Sequence, residues 1–222
     1  MRIAIDGPSG AGKSSLAKAL ASKLGIIYVD TGALYRSVGY YVREHNTNPR
    51  DEKAVSVLLK DINIELVFNE GTQNVYLNGE NLGDKIRQPD ISMYASAVSS
   101  LPAVRKFLLE TQKKLSYSKP GVIMDGRDIG TVIMPDADVK IFLTASSRNR
   151  AERRYAELKL KGVDVTLESV LEDMERRDLD DRSRDIAPAI PAEDAIVLDN
   201  TGFTVEESVE EALRIINNVC MA

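Results

Sequence analysis

Apolar residues along the chain form two kinds of pattern: segments with helical spacing, and short continuous runs between them. Leu16, Leu20 and Leu24 recur at helical spacing, and similar patterns return several times further on. Short apolar runs without alternation are typical of buried parallel strands. Five of them lie at residues 3–5, 26–29, 122–124, 139–143 and 196–198. This order predicts an α/β protein, with a central parallel five-stranded sheet and helices on both faces.

The pattern changes between residues 62 and 84, where apolar residues occur at every second position, as in a β-strand. Residues 69–71 predict a turn, and Asn78-Gly79 is a strong signal for a tight hairpin. We therefore expect a small antiparallel β insertion within the α/β chain.

Composition restricts the classes of function. The chain has 222 residues, 43% of them apolar, with a net charge of −5. These values are ordinary for a globular protein and disfavour a general nucleic-acid binder. Cys220 and His45 are the only residues of their types, which speaks against disulfides and against metal sites built from Cys or His. No apolar run reaches membrane-spanning length, and the chain starts directly with an apolar strand, so we expect a cytoplasmic protein without nucleic-acid or membrane partners.

A phosphate-binding motif follows the first strand and opens the first helix. Residues 7–14 carry the full G-x-x-x-x-G-K-[ST] pattern. Its backbone N–H groups and the helix N-terminus would hold ATP phosphates, Lys13 would reach the β- and γ-phosphates, and Ser14 would offer its hydroxyl to Mg²⁺. The predicted nucleotide-binding residues are Gly7, Pro8, Ser9, Gly10, Ala11, Gly12, Lys13, Ser14 and Ser15.

A second group of charged residues follows the other strand ends, the edge of a parallel sheet where ligands bind. Asp125 ends an apolar strand and is the second candidate ligand for Mg²⁺. Thr31, which could cap the next helix, and Arg36 follow the strand that ends at Asp30. Further arginines occur at Arg127, at 148–154 and at 176–185. They suit an anionic acceptor and a closing flap, although exposed, ion-paired surfaces would also explain them.

Several motifs together resemble the bacterial cytidylate kinases, of the nucleoside monophosphate kinase group of P-loop proteins. They are IDGPSGAGKSS at 5–15, DTGALYR at 30–36, DGRDIGTV at 125–132, DADVKIFLTAS at 136–146 and RRDLDDRSRDIAP at 176–188. The resemblance covers essentially the whole chain. It implies Mg²⁺-dependent, in-line transfer of the ATP γ-phosphate to CMP or dCMP in a closing cleft of a monomeric enzyme.

The resemblance also implies a division of the chain. Residues 1–30, 115–147 and 187–222 would form the ATP-binding core. Residues 31–114 would form the monophosphate-binding region with its insertion, and residues 148–186 would form a helical lid.

Site residues carry over motif by motif. Arg36 and Arg127 resemble acceptor-phosphate ligands, and Ser96, Arg105 and Asp128 resemble the cytosine-reading residues. The full implied sets are, for the acceptor, Thr31, Arg36, Ser96, Arg105, Arg127, Asp128, Arg177, Asp181 and Arg184, and, for catalysis, Lys13, Arg127, Arg150, Arg154 and Arg177. Ser14-Ser15 stands where many members have Gly-Thr, and Thr31 where some have Ser.

Other functions remain open at this point. Another small-molecule P-loop kinase, such as a shikimate or adenylate kinase, would share the phosphate motif, although the insertion at 62–84 argues against an adenylate kinase. A catalytically silent nucleotide-binding module would share it as well. The preference among CMP, dCMP and UMP does not follow from the sequence.

Overall fold

The central sheet is parallel throughout and has five strands. A computed structural model describes residues 1–69 and 72–221, apart from the side chain of Pro89. The strands are β1 (Arg2–Asp6), β2 (Ile27–Asp30), β3 (Ile64–Asn69), β4 (Thr72–Leu77), β5 (Glu80–Asn81), β6 (Val122–Gly126), β7 (Val139–Thr144) and β8 (Ile196–Asp199). The sheet order is β2-β6-β1-β7-β8, which leaves β2 and β8 as edges. The predicted fold class is confirmed.

Helices cover both faces of this sheet. They are α1 (Lys13–Leu24), α2 (Thr31–Glu44), α3 (Glu52–Leu58), α4 (Pro89–Ser99), α5 (Pro102–Leu115), α6 (Ser147–Leu160), α7 (Leu167–Arg182) and α8 (Val205–Met221). On one face, Ile3 and Ile5 pack against Leu20 of α1 and Ile216 of α8. On the other, neighbouring strand residues such as Ala4 pack with the α5 side and with a π-helical turn at Ile129–Ile133. The three central strands, β1, β6 and β7, are therefore buried on both faces, which explains their continuous apolar runs.

The expected antiparallel insertion is present. β3, β4 and β5 form a three-stranded sheet, and Asn78 and Gly79 both adopt positive φ in the turn between β4 and β5. The turn predicted at residues 69–71 includes Glu70 and Gly71, which lie outside the described residues. The insertion packs with α2, α4 and α5 around a core of its own. The division of the chain into core, monophosphate-binding region and lid stays a prediction.

The arginine-rich segment lies largely in a helix, as expected for a helical lid. α7 continues as a regular helix to Arg182, so most of residues 176–185 is helical. Thr166 caps its start, as predicted, and Val170 and Met174 pack on α6. Ion pairs at helical spacing, including Arg176 with Asp173, make the polar end of the helix compatible with continued turns. Within the described part of the chain, no helix is both long and apolar enough to cross a membrane.

Candidate active site

The phosphate loop adopts a conformation that depends on glycine. Gly7, Gly10 and Gly12 all have positive φ, and a Cβ on Gly7 would lie 2.0 Å from the Leu143 carbonyl oxygen. Gly12 makes no side-chain cap for α1, so the first amides of the helix face the cleft without a competing side chain. The loop therefore presents the N–H groups that an anion needs.

Lys13 lies buried at the start of α1. Its Nζ donates to the Pro8 carbonyl oxygen at 2.7 Å. Burial lowers the pKa of Lys13, and the nearby positive charge of Arg127 lowers it further. A bound polyphosphate would raise this pKa again because it supplies the opposite charge.

Asp125 stands beside the loop at the end of β6. Its carboxylate accepts hydrogen bonds from Ser14 Oγ at 2.8 Å and from the Tyr28 hydroxyl at 3.0 Å. Burial raises the pKa of Asp125 to about 6, and the negative charge of Asp30 adds to the rise. Among the described residues no Lys or Arg forms an ion pair with this carboxylate, and a hydroxyl and a carboxylate oxygen side by side form a donor set that fits Mg²⁺.

Asp30 and Arg36 lie together where β2 passes into α2. Asp30, rather than Thr31, caps the helix: its Oδ1 accepts from Ala33 N at 3.1 Å, and its Oδ2 accepts from Arg36 Nη2 at 2.5 Å. Thr31 is the first helical residue and donates instead to the Asp125 carbonyl oxygen at 2.7 Å. The expected Thr31 cap was wrong because the Asp30 carboxylate reaches the same amide. Arg36 Nε has no hydrogen-bond partner among the described residues.

A buried ion pair closes the acceptor end of the cleft. Arg105 Nη2 donates to Asp128 Oδ2, and Arg105 Nη1 donates to the Ser99 carbonyl oxygen at 3.1 Å. Both charged side chains are less than a tenth exposed. Ser96 lines the cleft on the same side, on α4. The pair presents one acceptor edge and several donors to whatever fills this end.

Two arginines, one directly after β6 and one just after α7, converge on Asp181 of α7. Its carboxylate accepts from Arg127 Nε at 2.9 Å and from Arg184 Nη2. These cations hold the pKa of Asp181 low, against the opposite effect of burial. Arg177 also lines the cleft, and its Nε is buried without a hydrogen-bond partner in the described chain. Burial lowers the pKa of Arg177 to about 10, and Arg127 contributes to this.

The arginines of α6 separate into two groups. Arg154 lines the cleft and pairs with Glu157 at 2.9 Å. Arg150 does not line it: its Nη1 donates to the Ser9 carbonyl oxygen at 2.8 Å and to Asp178 at 2.5 Å. Asp178 in turn accepts from Ser9 N at 3.1 Å. Arg150 therefore supports the phosphate loop from behind in this structure, and its predicted role in catalysis stays a prediction.

The structure brings most of the other predicted residues into one cleft of about 570 Å³. Gly7, Pro8 and Ala11 of the phosphate loop do not line it. It also reveals supporting residues that sequence reasoning missed. Asp6 accepts from Ile129 N at 2.8 Å and Gly130 N at 2.7 Å and so holds the turn after Asp128. A lone carboxylate at the end of an apolar strand was the available signal for Asp6. No sequence pattern pointed to Tyr28, which bonds to Asp125, or to Gln73, which is described below.

The parallel sheet, the glycine-rich loop and the arginine-lined cleft define a P-loop phosphotransferase with a small anionic acceptor. The chain matches the cytidylate kinase family model over residues 3–218. It is 48% identical over 219 residues to a cytidylate kinase of Caldicellulosiruptor bescii, covering 99% of this chain and 96% of that protein. A cytidylate kinase of Fervidobacterium nodosum is 46% identical over 219 residues, with coverages of 99% and 97%. The chain belongs to the cytidylate kinase family.

A solved structure agrees with the fold. A protein from Eubacterium ventriosum, described as uncharacterized, aligns with a TM-score of 0.50 and 15% identity over 97% of each chain. At that identity the likeness concerns the fold alone.

Proposed function

We propose that this chain transfers the γ-phosphate of ATP to CMP or dCMP, giving CDP or dCDP. One observation carries the proposal: the phosphate loop and the buried Arg105–Asp128 pair lie in the same cleft, with arginines between them. Phosphoryl transfer needs a donor site, an acceptor site and cations that screen their mutual repulsion. The cleft offers all of these in one chain.

The donor side is the phosphate loop. Its backbone amides would bind the β- and γ-phosphates, and Lys13 would leave the Pro8 carbonyl to pair with them. Ser14 and Asp125 would hold Mg²⁺, which neutralises phosphate oxygens when bound.

The acceptor side is the opposite wall. Arg36 and Arg127 would bind the monophosphate by paired hydrogen bonds. Asp128 would accept a hydrogen bond from the exocyclic amine of cytosine, while Ser96 and Arg105 would donate to the ring carbonyl and nitrogen. Uracil carries a carbonyl in place of that amine. Its carbonyl oxygen and the Asp128 carboxylate are both acceptors, so no hydrogen bond would form between them.

Residues of α6, of α7 and of the segment after α7 would complete the site. Asp181 is suited to bind sugar hydroxyls, with Arg184 beside it. Arg127, which now donates to Asp181, would also donate to the acceptor phosphate. Arg177 and Arg154 line the cleft and would stabilise charge on the transferring group. Closure of α6 and α7 over the cleft would exclude water, which otherwise competes as acceptor.

A coupled assay of ADP release tests the proposal. ATP and Mg²⁺ are supplied with CMP, dCMP, UMP, AMP, shikimate or no acceptor. We expect turnover with CMP and dCMP, much less with UMP, and almost none without acceptor. Turnover with AMP or shikimate but not with CMP would assign another kinase activity, and no turnover at all would indicate a silent nucleotide-binding module. Size-exclusion chromatography of the same preparation tests the expected monomer.

A further inference from the structure

The free edge of β2 is occupied by a side chain of the insertion. Asp30 N donates to Gln73 Oε1 at 2.9 Å, and Gln73 Nε2 donates to the Asp30 carbonyl oxygen at 3.2 Å. β2 pairs with β6 on its other side, where Asp30 aligns with Asp125. The Gln73 amide therefore supplies the donor and the acceptor that a neighbouring strand would otherwise supply.

The residue held in this way begins the acceptor-phosphate site. The Asp30 carboxylate caps α2 through Ala33 N and pairs with Arg36 Nη2 at 2.5 Å. Without Gln73, only the pairing of β2 with β6 would hold the backbone at Asp30. A shift of that peptide moves both carboxylate oxygens, and with them the direction of Arg36.

The surroundings make the pair vulnerable to water. Asp30 lines the active cleft and also a second cavity of about 780 Å³, between the insertion and the side of α1 and β2. Gln73 stands in the wall of that second cavity. Without the amide, the backbone groups of Asp30 would face a space large enough for several waters, which would satisfy them without fixing their direction.

Gln73 differs from Asn74, the next residue of β4, in its hydrogen bonds. Gln73 aligns with Phe68 of β3, and Phe68 packs against the core cluster that contains Val29. The amide of Asn74 donates to the Thr72 carbonyl oxygen of its own strand at 3.5 Å, and among the described residues it makes no hydrogen bond to Asp30. Asn74 is thus a matched control on the same strand.

We propose that Gln73 is a positioning residue for the acceptor phosphate: it joins the insertion sheet to Asp30 and so sets the direction of Arg36. The inference rests on the proposed CMP kinase activity. Gln73 itself does not line the active cleft. Its effect should therefore appear in the use of CMP and not in the use of ATP.

The test compares Gln73→Leu with Asn74→Leu in steady-state assays that vary CMP and ATP separately. We expect Gln73→Leu to raise KM for CMP about tenfold, as two hydrogen bonds are lost, with KM for ATP changed less than about twofold. Asn74→Leu should leave both values near wild type. Equal effects of the two variants, or equal rises in both KM values for Gln73→Leu, would overturn the inference.

A double-mutant cycle separates positioning from general damage. If Gln73 acts through Arg36, Gln73→Leu should change kcat/KM for CMP little once Arg36→Ala is present. Full additivity would contradict that route. Gln73→Glu is the second variant should Gln73→Leu lack a cooperative thermal transition: it keeps the acceptor for Asp30 N but loses the donor to Asp30 O, and KM for CMP should rise in the same direction. An unchanged KM for CMP in Gln73→Glu would overturn the inference.

The wild-type assay with CMP is run first and decides the proposed function separately. A wild type that phosphorylates CMP, with a Gln73→Leu variant that behaves like Asn74→Leu, removes only the positioning role. A wild type without CMP turnover removes the proposed function and this inference together.

Discussion

Replacing Arg177 with Met should stabilise the protein and impair catalysis at the same time. The Arg177 guanidinium is buried in the cleft, its Nε lacks a hydrogen-bond partner among the described residues, and Arg127 repels it. Such a charge is favourable only when an anion is bound beside it. In the absence of substrate, it opposes folding.

The magnitude follows from the lowered pKa. A fall from 12.5 to about 10 corresponds to roughly 3 kcal/mol of unfavourable interaction with the charged form. Met has a similar length and suits a helix, so we expect a net gain of about 2 kcal/mol after local repacking losses. For a chain of this size that gain raises Tm by roughly 4 to 8 °C.

The pH dependence has a definite sign. The folded-state pKa of Arg177 is lowered, so the cost of its charge is fully present below about pH 10 and is lost only above it. The difference in Tm between Arg177→Met and wild type should therefore stay constant between about pH 6 and pH 9.

Arg176→Met is the matched control for this experiment. Arg176 is the preceding residue of α7, but its side chain is 70% exposed and pairs with Asp173. We expect its free energy of unfolding to change by less than about 0.5 kcal/mol. Differential scanning calorimetry measures both variants, with and without CMP and ATP. A lower Tm for Arg177→Met, or an equal gain for Arg176→Met, would refute the reasoning.

Catalysis by Arg177→Met should decline in the same preparation. We expect kcat to fall about 100-fold or more, because the variant lacks a cation that stabilises the transferring phosphoryl group. Bound substrates should also stabilise the variant less than they stabilise wild type. An unchanged kcat would remove Arg177 from the proposed catalytic set.

Three further predictions concern the two ends of the cleft. Lys13→Ala should abolish transfer while calorimetry finds CMP affinity nearly unchanged, because Lys13 lies in the donor loop; an equal loss of CMP affinity would contradict that placement. Asp128→Ala leaves Arg105 buried without its counter-charge, so KM for CMP should rise about 100-fold, KM for ATP far less, and discrimination against UMP should fall; unchanged discrimination would exclude Asp128 as a cytosine reader. Tyr28→Phe removes one of the two hydroxyls bonded to Asp125, and kcat/KM for ATP should fall about tenfold with Tm within a few degrees of wild type; an unchanged value would show that the Ser14 bond alone holds Asp125.

Sequence reasoning succeeded where one local pattern decides the outcome. The P-loop requires fixed residue types at fixed spacing, and Gly7, Gly10 and Gly12 do adopt positive φ. The hairpin at Asn78-Gly79 follows from the same local preference.

It was less accurate where several local outcomes compete. Thr31 and Asp30 are both good capping residues, and the carboxylate of Asp30 reached the helix amide while Thr31 bonded to β6. The polar segment 176–185 contains no clear signal for the end of the helix before it, and α7, whose Val170 and Met174 pack on α6, continues to Arg182. The sequence contains both alternatives, and only packing selects between them.

By itself, the sequence determined the parallel α/β class, the antiparallel insertion, the phosphate loop and a family resemblance that the comparisons then confirmed. These features rest on periodicity and on short motifs, which act over a few neighbouring residues. Only the tertiary structure decided which distant groups contact one another. Arg150 turned behind the phosphate loop, Arg127 met Asp181, and Gln73 reached the free edge of β2. Such contacts join residues 43 to 141 positions apart, and sheet order and helix packing, rather than local preference, bring them together.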